Sequence, residues 1–512
     1  MQQWSLIFFV LNAYLLSFVL ASAIPLRARD RTPSNSGRIT LPLKRFQAAR
    51  TDVHPQLLMQ QYINRGSKRL SRMTGRQEPS EHELRSAIHK RLYILEGGQG
   101  LAFKSGNTRG GMAAAHGHHG SYGAMSNGTT TNGTSIPSNS TMSGGSGGTS
   151  GNNTGVSPID IQAASTGGLT VAKTPTTNGS LGLDIEANDV AYIATIQIGT
   201  PATDFKILMD SGSADFWVGG ENCQSTLGGC GNHTFLGTQS SSSFVTSNTK
   251  FQVTYGSGAV EGTICQDQVS IGGITLSNHT FGITTAESQQ FADPTAPFDG
   301  LMGLALSTLS QQNVSTPVES LASNGLIPAA ITSFKISRLA DQLNDGEVTF
   351  GGLDSTKFVA NSLVTIPNVS QKGFWEGSID AISINGADSG LTGRTAVLDT
   401  GTTLMLLPQS DAQQLMQGLG GTCDTQQCTI PCTTNASLAL TFGGSSFPID
   451  PRDLATLPID INNPTGDCVS GIQPGQFGTA TEWLVGDVFL KNAYFSTNVN
   501  NNTISLAKLS TP

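Results

Sequence analysis

The stretch Lys206-Ile207-Leu208-Met209-Asp210-Ser211-Gly212-Ser213 decides how this 512-residue chain is read, because it returns as Thr395-Ala396-Val397-Leu398-Asp399-Thr400-Gly401-Thr402. Each copy is followed, 93 and 87 residues after its aspartate, by an apolar-apolar-glycine element, Leu301-Met302-Gly303 and Leu484-Val485-Gly486. A carboxylate closing an apolar run is costly unless it is hydrogen-bonded. Ser/Thr-Gly-Ser/Thr supplies the remedy: two hydroxyls and a glycine that turns the backbone tightly enough to aim N–H groups at the carboxylate. A single Asp-Ser/Thr-Gly is an ordinary turn former. Two copies in matching apolar settings predict one unit used twice, with Asp210 and Asp399 meeting at a pseudo-dyad. Carboxyl groups that close do not both ionise readily and so share a proton.

Around this repeat, from Leu181 onward, short β-branched runs such as 193–198 and 206–209 alternate with Gly, Asn-Gly and Pro. Long helical patterns are few, so this part is predicted to be mostly β, with lobes at 181–335 and 336–512. Upstream, residues 97–180 are rich in Gly, Ser, Thr and Asn and are expected to form a disordered linker. Two apparent motifs there carry no chemistry. Gly144-Gly145-Ser146-Gly147-Gly148 mimics a nucleophile elbow without a strand before it or a helix after it. His116, His118 and His119 mimic a metal tract in a segment too featureless to hold one.

Charge divides the chain further. Charged residues make up only 12%, against roughly 25% in soluble domains. Residues 24–111 carry a net +11 and residues 112–512 a net −19, for a total of −8. The scarcity of charge argues against a coiled coil and a basic nucleic-acid binder. Residues 24–96 form the basic segment, with dibasic pairs at Lys44-Arg45, Lys68-Arg69 and Lys90-Arg91.

At the start, an apolar run from Leu6 to Leu20 precedes Ala21-Ser22-Ala23, the pattern of a cleaved signal peptide over 1–23. The run is short of the ~20 apolar residues that a membrane span needs, so no anchor is expected and the product is read as secreted and extracellular. An oxidising route turns the seven cysteines toward disulfides rather than zinc, and seven leaves one over, with Cys265 expected as a buried free thiol. Eleven Asn-x-Ser/Thr sequons fit the same route and a glycoprotein. His233 and His279, the two histidines after residue 120, each lie inside a sequon and are expected at the surface, which disfavours a Ser-His-Asp hydrolase. No His-Glu-x-x-His occurs, so a metal hydrolase is disfavoured as well.

Together these segments resemble a pepsin-like aspartic endopeptidase of the secreted fungal type, over roughly residues 185–508. Asp210-Ser211-Gly212-Ser213 with Trp217-Val218 resembles the first active-site segment, and Asp399-Thr400-Gly401-Thr402-Thr403 the second. Tyr255-Gly256-Ser257-Gly258 resembles the flap hairpin. Phe298 to Leu304 and Trp483 to Asp487 resemble the paired segments behind the dyad.

The resemblance implies a bilobal fold with pseudo-two-fold symmetry and a protease made as a zymogen. It acts in acid on polypeptides without cofactor, metal, nucleic acid or covalent intermediate, as a monomer. It implies Asp210 and Asp399 as catalytic residues, with Ser213 and Thr402 bonding their outer oxygens. Tyr255, Gly256, Ser257 and Trp217 form the flap and substrate side, the Tyr255 hydroxyl reaching the Trp217 indole. Family positions imply disulfides Cys223–Cys230 and Cys432–Cys468, leaving Cys423–Cys428 as a local extra. The segment 39–45 resembles family prosegments, so Lys44 and Arg45 are expected to inhibit at the active-site carboxylates. The linker is expected to leave with the prosegment, placing the mature start between about 92 and 190.

Ser211 stands where the family more often has Thr, and Ala214-Asp215 where it has a small polar pair. The rival reading is a catalytically silent secreted glycoprotein of the same fold, which two intact Asp triplets and the flap tyrosine argue against.

Overall fold

The computed structural model describes Asn64 and residues 154–510, except 227, 256–257, 425–426 and 476–480. The expected signal peptide, the basic segment with Lys44 and Arg45 (Asn64 apart), linker residues 97–153, and Gly256 and Ser257 lie outside the described residues.

The fold is mostly β, and its centre is a duplicated three-strand unit. In the first half, Thr203–Asp210 runs parallel to Gly300–Gly303, with Met209 opposite Met302. Gly300–Gly303 in turn lies antiparallel to Phe216–Gln224, with Phe216 opposite Met302. In the second half, Thr395–Leu398 runs parallel to Glu482–Val485, with Leu398 opposite Val485, and Met405 faces the same Val485 from Met405–Pro408. Counted from each aspartate, the registers are the same. These strands are buried on both faces, which explains their continuous apolar reading rather than an alternating one.

Both units demand glycine where this element presses on the turn that follows the aspartate. A Cβ on Gly303 would stand 2.5 Å from the Asp215 nitrogen, and one on Gly486 would collide with the Thr402 carbonyl oxygen. That close approach is the physical reason for the apolar-apolar-glycine element.

Around the first unit grows a nine-stranded sheet, and around the second a five-stranded sheet with two four-stranded ones. A six-stranded sheet draws Ser180–Gly182 and Ile331–Lys335 together with Glu347–Phe350, Val364–Pro367, Tyr494–Asn498 and Thr503–Ala507. It is therefore shared by segments of both halves.

At the C-terminal end of the stretch read as linker, Pro158–Thr166 is a helix. Ser157 caps it by accepting from the Ile159 N–H, and Pro158 fills the first turn, where no donor is lost.

The three disulfides are Cys223–Cys230, Cys423–Cys428 and Cys432–Cys468, and Cys265 is a buried free thiol. Closing the 36-residue separation of Cys432–Cys468 stabilises by about 4 kcal/mol in the chain-entropy account. The sequon asparagines 178, 232, 278, 313, 435 and 501 are exposed, but Asn368 is buried. Its amide donates to Asn502 and its oxygen accepts from the Ser370 and Glu376 N–H groups. That sequon is structural.

Candidate active site

Each aspartate is held by its own triplet. Gly212 N donates to Asp210 Oδ1 at 2.9 Å and Ser213 Oγ to Asp210 Oδ2 at 2.6 Å. In the second half, Gly401 N donates to Asp399 Oδ1 at 2.9 Å and Thr402 Oγ1 to Asp399 Oδ2 at 2.5 Å. Both aspartates are fully buried, and charge-assisted donors of this kind are what let a carboxylate stay there.

The triplets also cross over to each other. Ser211 N donates to Thr400 Oγ1 and Thr400 N to Ser211 Oγ, both at 3.0 Å. Each hydroxyl then donates across the interface, Ser211 Oγ to Leu398 O at 3.0 Å and Thr400 Oγ1 to Met209 O at 2.8 Å. Four reciprocal bonds thus draw Asp210 and Asp399, one residue before the interlocked pair, to the pseudo-dyad. Ser211 performs this with its hydroxyl alone, so the missing methyl costs no hydrogen bond.

Further bonds fasten the halves around the pair. Trp375 Nε1 donates to Leu304 O at 2.9 Å, and Thr403 Oγ1 to Val190 O at 2.6 Å.

The first half also carries the hairpin that leads to Tyr255. Val245–Thr254 and Ala259–Ile271 pair up to Thr254 opposite Ala259. Trp217 Nε1 donates to Tyr255 Oη at 2.9 Å, as the resemblance implied. Phe291 packs edge-on against Tyr255, with ring centres 5.7 Å apart, and touches Trp217 at 5.4 Å. Ser288 Oγ accepts from Ala259 N at 3.1 Å and so clamps the base of the hairpin.

Several neighbours escaped the sequence reading. Asp215, whose charge had no assigned effect, is buried and accepts from Ser310 Oγ, Gln311 N and Gln312 N. Burial pushes its carboxyl above the usual range against those bonds. In the second half, Arg394 grips Asp411 with two bonds of 2.9 and 2.8 Å, and Asp411 accepts from Trp483 Nε1 at 3.0 Å. These partners lie far apart in sequence, so no local signal announces them.

His279 corrects an expectation. It is buried, stacked near Phe216 and Phe281, and burial lowers its pKa to about 4. The sequon did reach the surface, but through Asn278, whose φ of 57° lies in the register shift between Asp267 and Val269 that turns the next residue inward. His233, its counterpart, is half-buried.

Among the described residues, Cys223, Cys230 and Glu287 cluster as metal-ligand types. The two sulfurs are joined in a disulfide and offer no thiolate.

Comparison with known proteins gives a consistent result. The family model described as eukaryotic aspartyl protease matches residues 191–509. The chain is 32% identical over 348 residues to the aspartic-type endopeptidase ctsD of Aspergillus fumigatus, covering 67% of this chain and 71% of that one. It is 34% identical over 323 residues to a probable vacuolar protease A of Trichophyton verrucosum, covering 62% and 78%. It is 30% identical over 326 residues to cathepsin D of Dictyostelium discoideum, covering 62% and 83%.

Proposed function

The chain belongs to the eukaryotic aspartyl protease family and is an aspartic-type endopeptidase, and on that premise we propose that Asp210 and Asp399 are its catalytic pair. The observation that carries this reading is the reciprocal interlock of Ser211 and Thr400, which leaves two buried carboxyl groups equivalently held.

In the reaction, Asp399 is ionised and removes a proton from a bound water, whose oxygen bonds to the scissile carbonyl carbon. Asp210, protonated, gives its proton to the carbonyl oxygen, and a neutral gem-diol results. Return of a proton to the amide nitrogen lets the C–N bond break, with no bond from protein to substrate. Ser213 and Thr402 fix the outer carboxylate oxygens. Tyr255, braced by Trp217, closes over an extended substrate together with Gly256 and Ser257.

The basic segment 24–96 serves as an inhibitory prosegment, with Lys44 and Arg45 directed to the active-site carboxylates. Its +11 against −19 supports the attraction at neutral pH, and protonation of carboxylates weakens it in acid. The signal-like start takes the chain into the secretory route as a monomeric glycoprotein. Secretion is the favoured destination, with an acidic vacuole as the second reading because relatives carry vacuolar names. No helix among the described residues is long and apolar enough to cross a membrane.

The decisive experiment measures peptide cleavage at pH 3–5, with and without a pepstatin-type inhibitor, for wild type, Asp210→Asn and Asp399→Asn. Both variants should lose activity by about a thousandfold or more. Activity that survives either substitution refutes the assignment. A precursor that stays intact at pH 3.5 without added protease refutes self-activation.

A further inference from the structure

Residues 154–182 are held along their whole length. Val156 N donates to Pro464 O in the second half. The helix Pro158–Thr166 buries Ala164, with Ile159 and Ala163 packed on the main core. Leu169–Thr170 pairs with Asp184–Glu186 of the nine-stranded sheet. Lys173 N donates to Asn344 O, and Thr177 Oγ1 to Asp354 Oδ2 at 2.7 Å. Ser180–Gly182 then forms the edge strand of the six-stranded sheet, Leu181 opposite Val348. The segment touches both halves and the sheet they share. It also walls one side of a cavity of about 1060 Å³, which is lined besides by Asp189, Arg338, Asp453 and Lys491.

We propose that residues 154–182 are part of the working enzyme, a strap binding its two halves, and that the activating cleavage falls N-terminal to Thr154. The position of the cleavage rests on the zymogen reading above; the strap does not.

A second observation separates the strap from a prosegment. Asp160, on the strap helix, has its Oδ1 shut off from water with no hydrogen-bond donor. The acids Asp189 and Asp453 and the bases Lys491 and Arg452 surround it. The bases are already engaged: Lys491 with Asp189 and Asp453, and Arg452 with Asp341 and Asp450. Arg338 is likewise spent on Asp453. Burial, reinforced by Asp189, therefore raises the Asp160 pKa to about 7 from an ordinary 3.8.

The sign follows. Docking is at full strength below about pH 3.8, where Asp160 is neutral bound or free, and weakens as pH climbs through 7. A cationic prosegment held by carboxylates behaves the opposite way. The acid that sheds the prosegment tightens the strap.

Two measurements on the full chain test this. The first reads the N-terminus of the active species after incubation at pH 3.5, by intact mass and N-terminal sequencing. A start at or before Thr154 is expected, and a fully active species beginning after Ser157 overturns the proposal. An uncleaved but active chain refutes the zymogen reading and leaves the strap in place.

The second follows hydrogen exchange in residues 158–170, corrected for intrinsic rates, at pH 5 and pH 8. Each unit of pKa displacement is tenfold in the docking equilibrium, so protection should fall at least tenfold at pH 8. Asp160→Asn should hold its protection at both pH values. Equal protection of the wild type at pH 5 and 8, or loss in both proteins alike, overturns the Asp160-dependent docking of the strap even if the chain proves inactive.

Discussion

The two halves of the molecule repeat one backbone unit yet differ in how several of their buried acids are held. Residues 181–335 contain three lysines and no arginine, whereas residues 336–512 contain seven cations. In the first half Asp215 and Glu287 are buried without a cation, whereas Asp189 is paired with Lys491 of the second half. Asp215 is held by a hydroxyl and backbone N–H groups, and Glu287 by the Thr284 hydroxyl at 2.8 Å. Burial raises both, Glu287 to about 7. In the second half Glu347, Asp411 and Asp453 are buried in ion pairs, while Asp354 and Asp399 rest on hydroxyl and backbone N–H donors. Arg338 and Lys491 hold the Asp453 carboxyl well below the usual range despite burial, and Arg394 clasps Asp411. Asp215 and Glu287 are thus acids that low pH neutralises without loss, whereas Arg338 and Lys491 keep Asp453 ionised well into the acid range. Both routes keep a protein folded at low pH, but they predict different responses to mutation and to base.

The largest effect belongs to the ion-paired Asp453. Arg338→Met strips Asp453 of its two-pronged partner and leaves a buried charge with Lys491 and Asn492. Breaking a buried pair from one side costs ~3–5 kcal/mol. Denaturant unfolding at pH 5 should register about 3 kcal/mol, since Lys491 remains. A loss below about 1 kcal/mol would erase the distinction between the two kinds of buried acid.

Next comes Glu287→Gln, at an acid buried without a cation, read as a pH profile. With the native pKa near 7 against an ordinary 4.5, Glu287 leaves stability intact below about pH 4.5 and lowers it as pH rises through 7. Glutamine keeps an oxygen for the Thr284 hydroxyl but cannot ionise. The variant should match wild type at pH 4 and exceed it at pH 8 by on the order of 2–3 kcal/mol, by urea unfolding at both pH values. Parallel curves would mean that the carboxyl is not desolvated in solution.

The sequence disclosed the shared part of this comparison and concealed the difference. The repeat at Asp210 and Asp399, the glycines at 303 and 486 and the mostly β texture are local patterns, and each survives in the fold because apolar runs and tight approaches leave a composition signature. The Trp217–Tyr255 bond followed from the family resemblance. What stayed hidden is long-range. Asp215 meets donors 95 to 97 residues later, and Arg338 meets Asp453 across 115. The helix Pro158–Thr166 had a legible Ser157 cap and a Pro at its first turn, but the Gly/Ser/Thr/Asn average around it masked them. His279 was misplaced for a related reason: a sequon marks an exposed tripeptide only on average, and the register shift beside Asn278 overrides it.

A smaller effect tests Tyr255 at the end of the first half's hairpin. Tyr255→Phe removes the acceptor of the Trp217 indole N–H and keeps the ring against Phe291. One neutral hydrogen bond is worth ~1 kcal/mol net, so kcat/KM should fall about fivefold with the acid profile unchanged. An unaltered kcat/KM would reduce the bond to packing.

The smallest expected change bears on the duplication itself. Ser211 and Thr400 occupy equivalent places and make equivalent bonds, differing by one methyl group. If the two units are interchangeable at the interlock, Ser211→Thr keeps all four bonds and adds only a methyl. Stability should then move by less than about 0.5 kcal/mol and kcat/KM by less than about twofold, because the gain from one more buried carbon, ~0.8 kcal/mol, is set against the cost of fitting it. A loss of more than about 1.5 kcal/mol would mean that the neighbouring side chains have closed over the space, so that the first unit has diverged in packing while keeping its hydrogen bonds. Thermal unfolding of the single variant beside Thr400→Ser distinguishes the cases. Interchangeable units give two small shifts of opposite sign, whereas a diverged first unit gives a large loss from Ser211→Thr and a small one from Thr400→Ser.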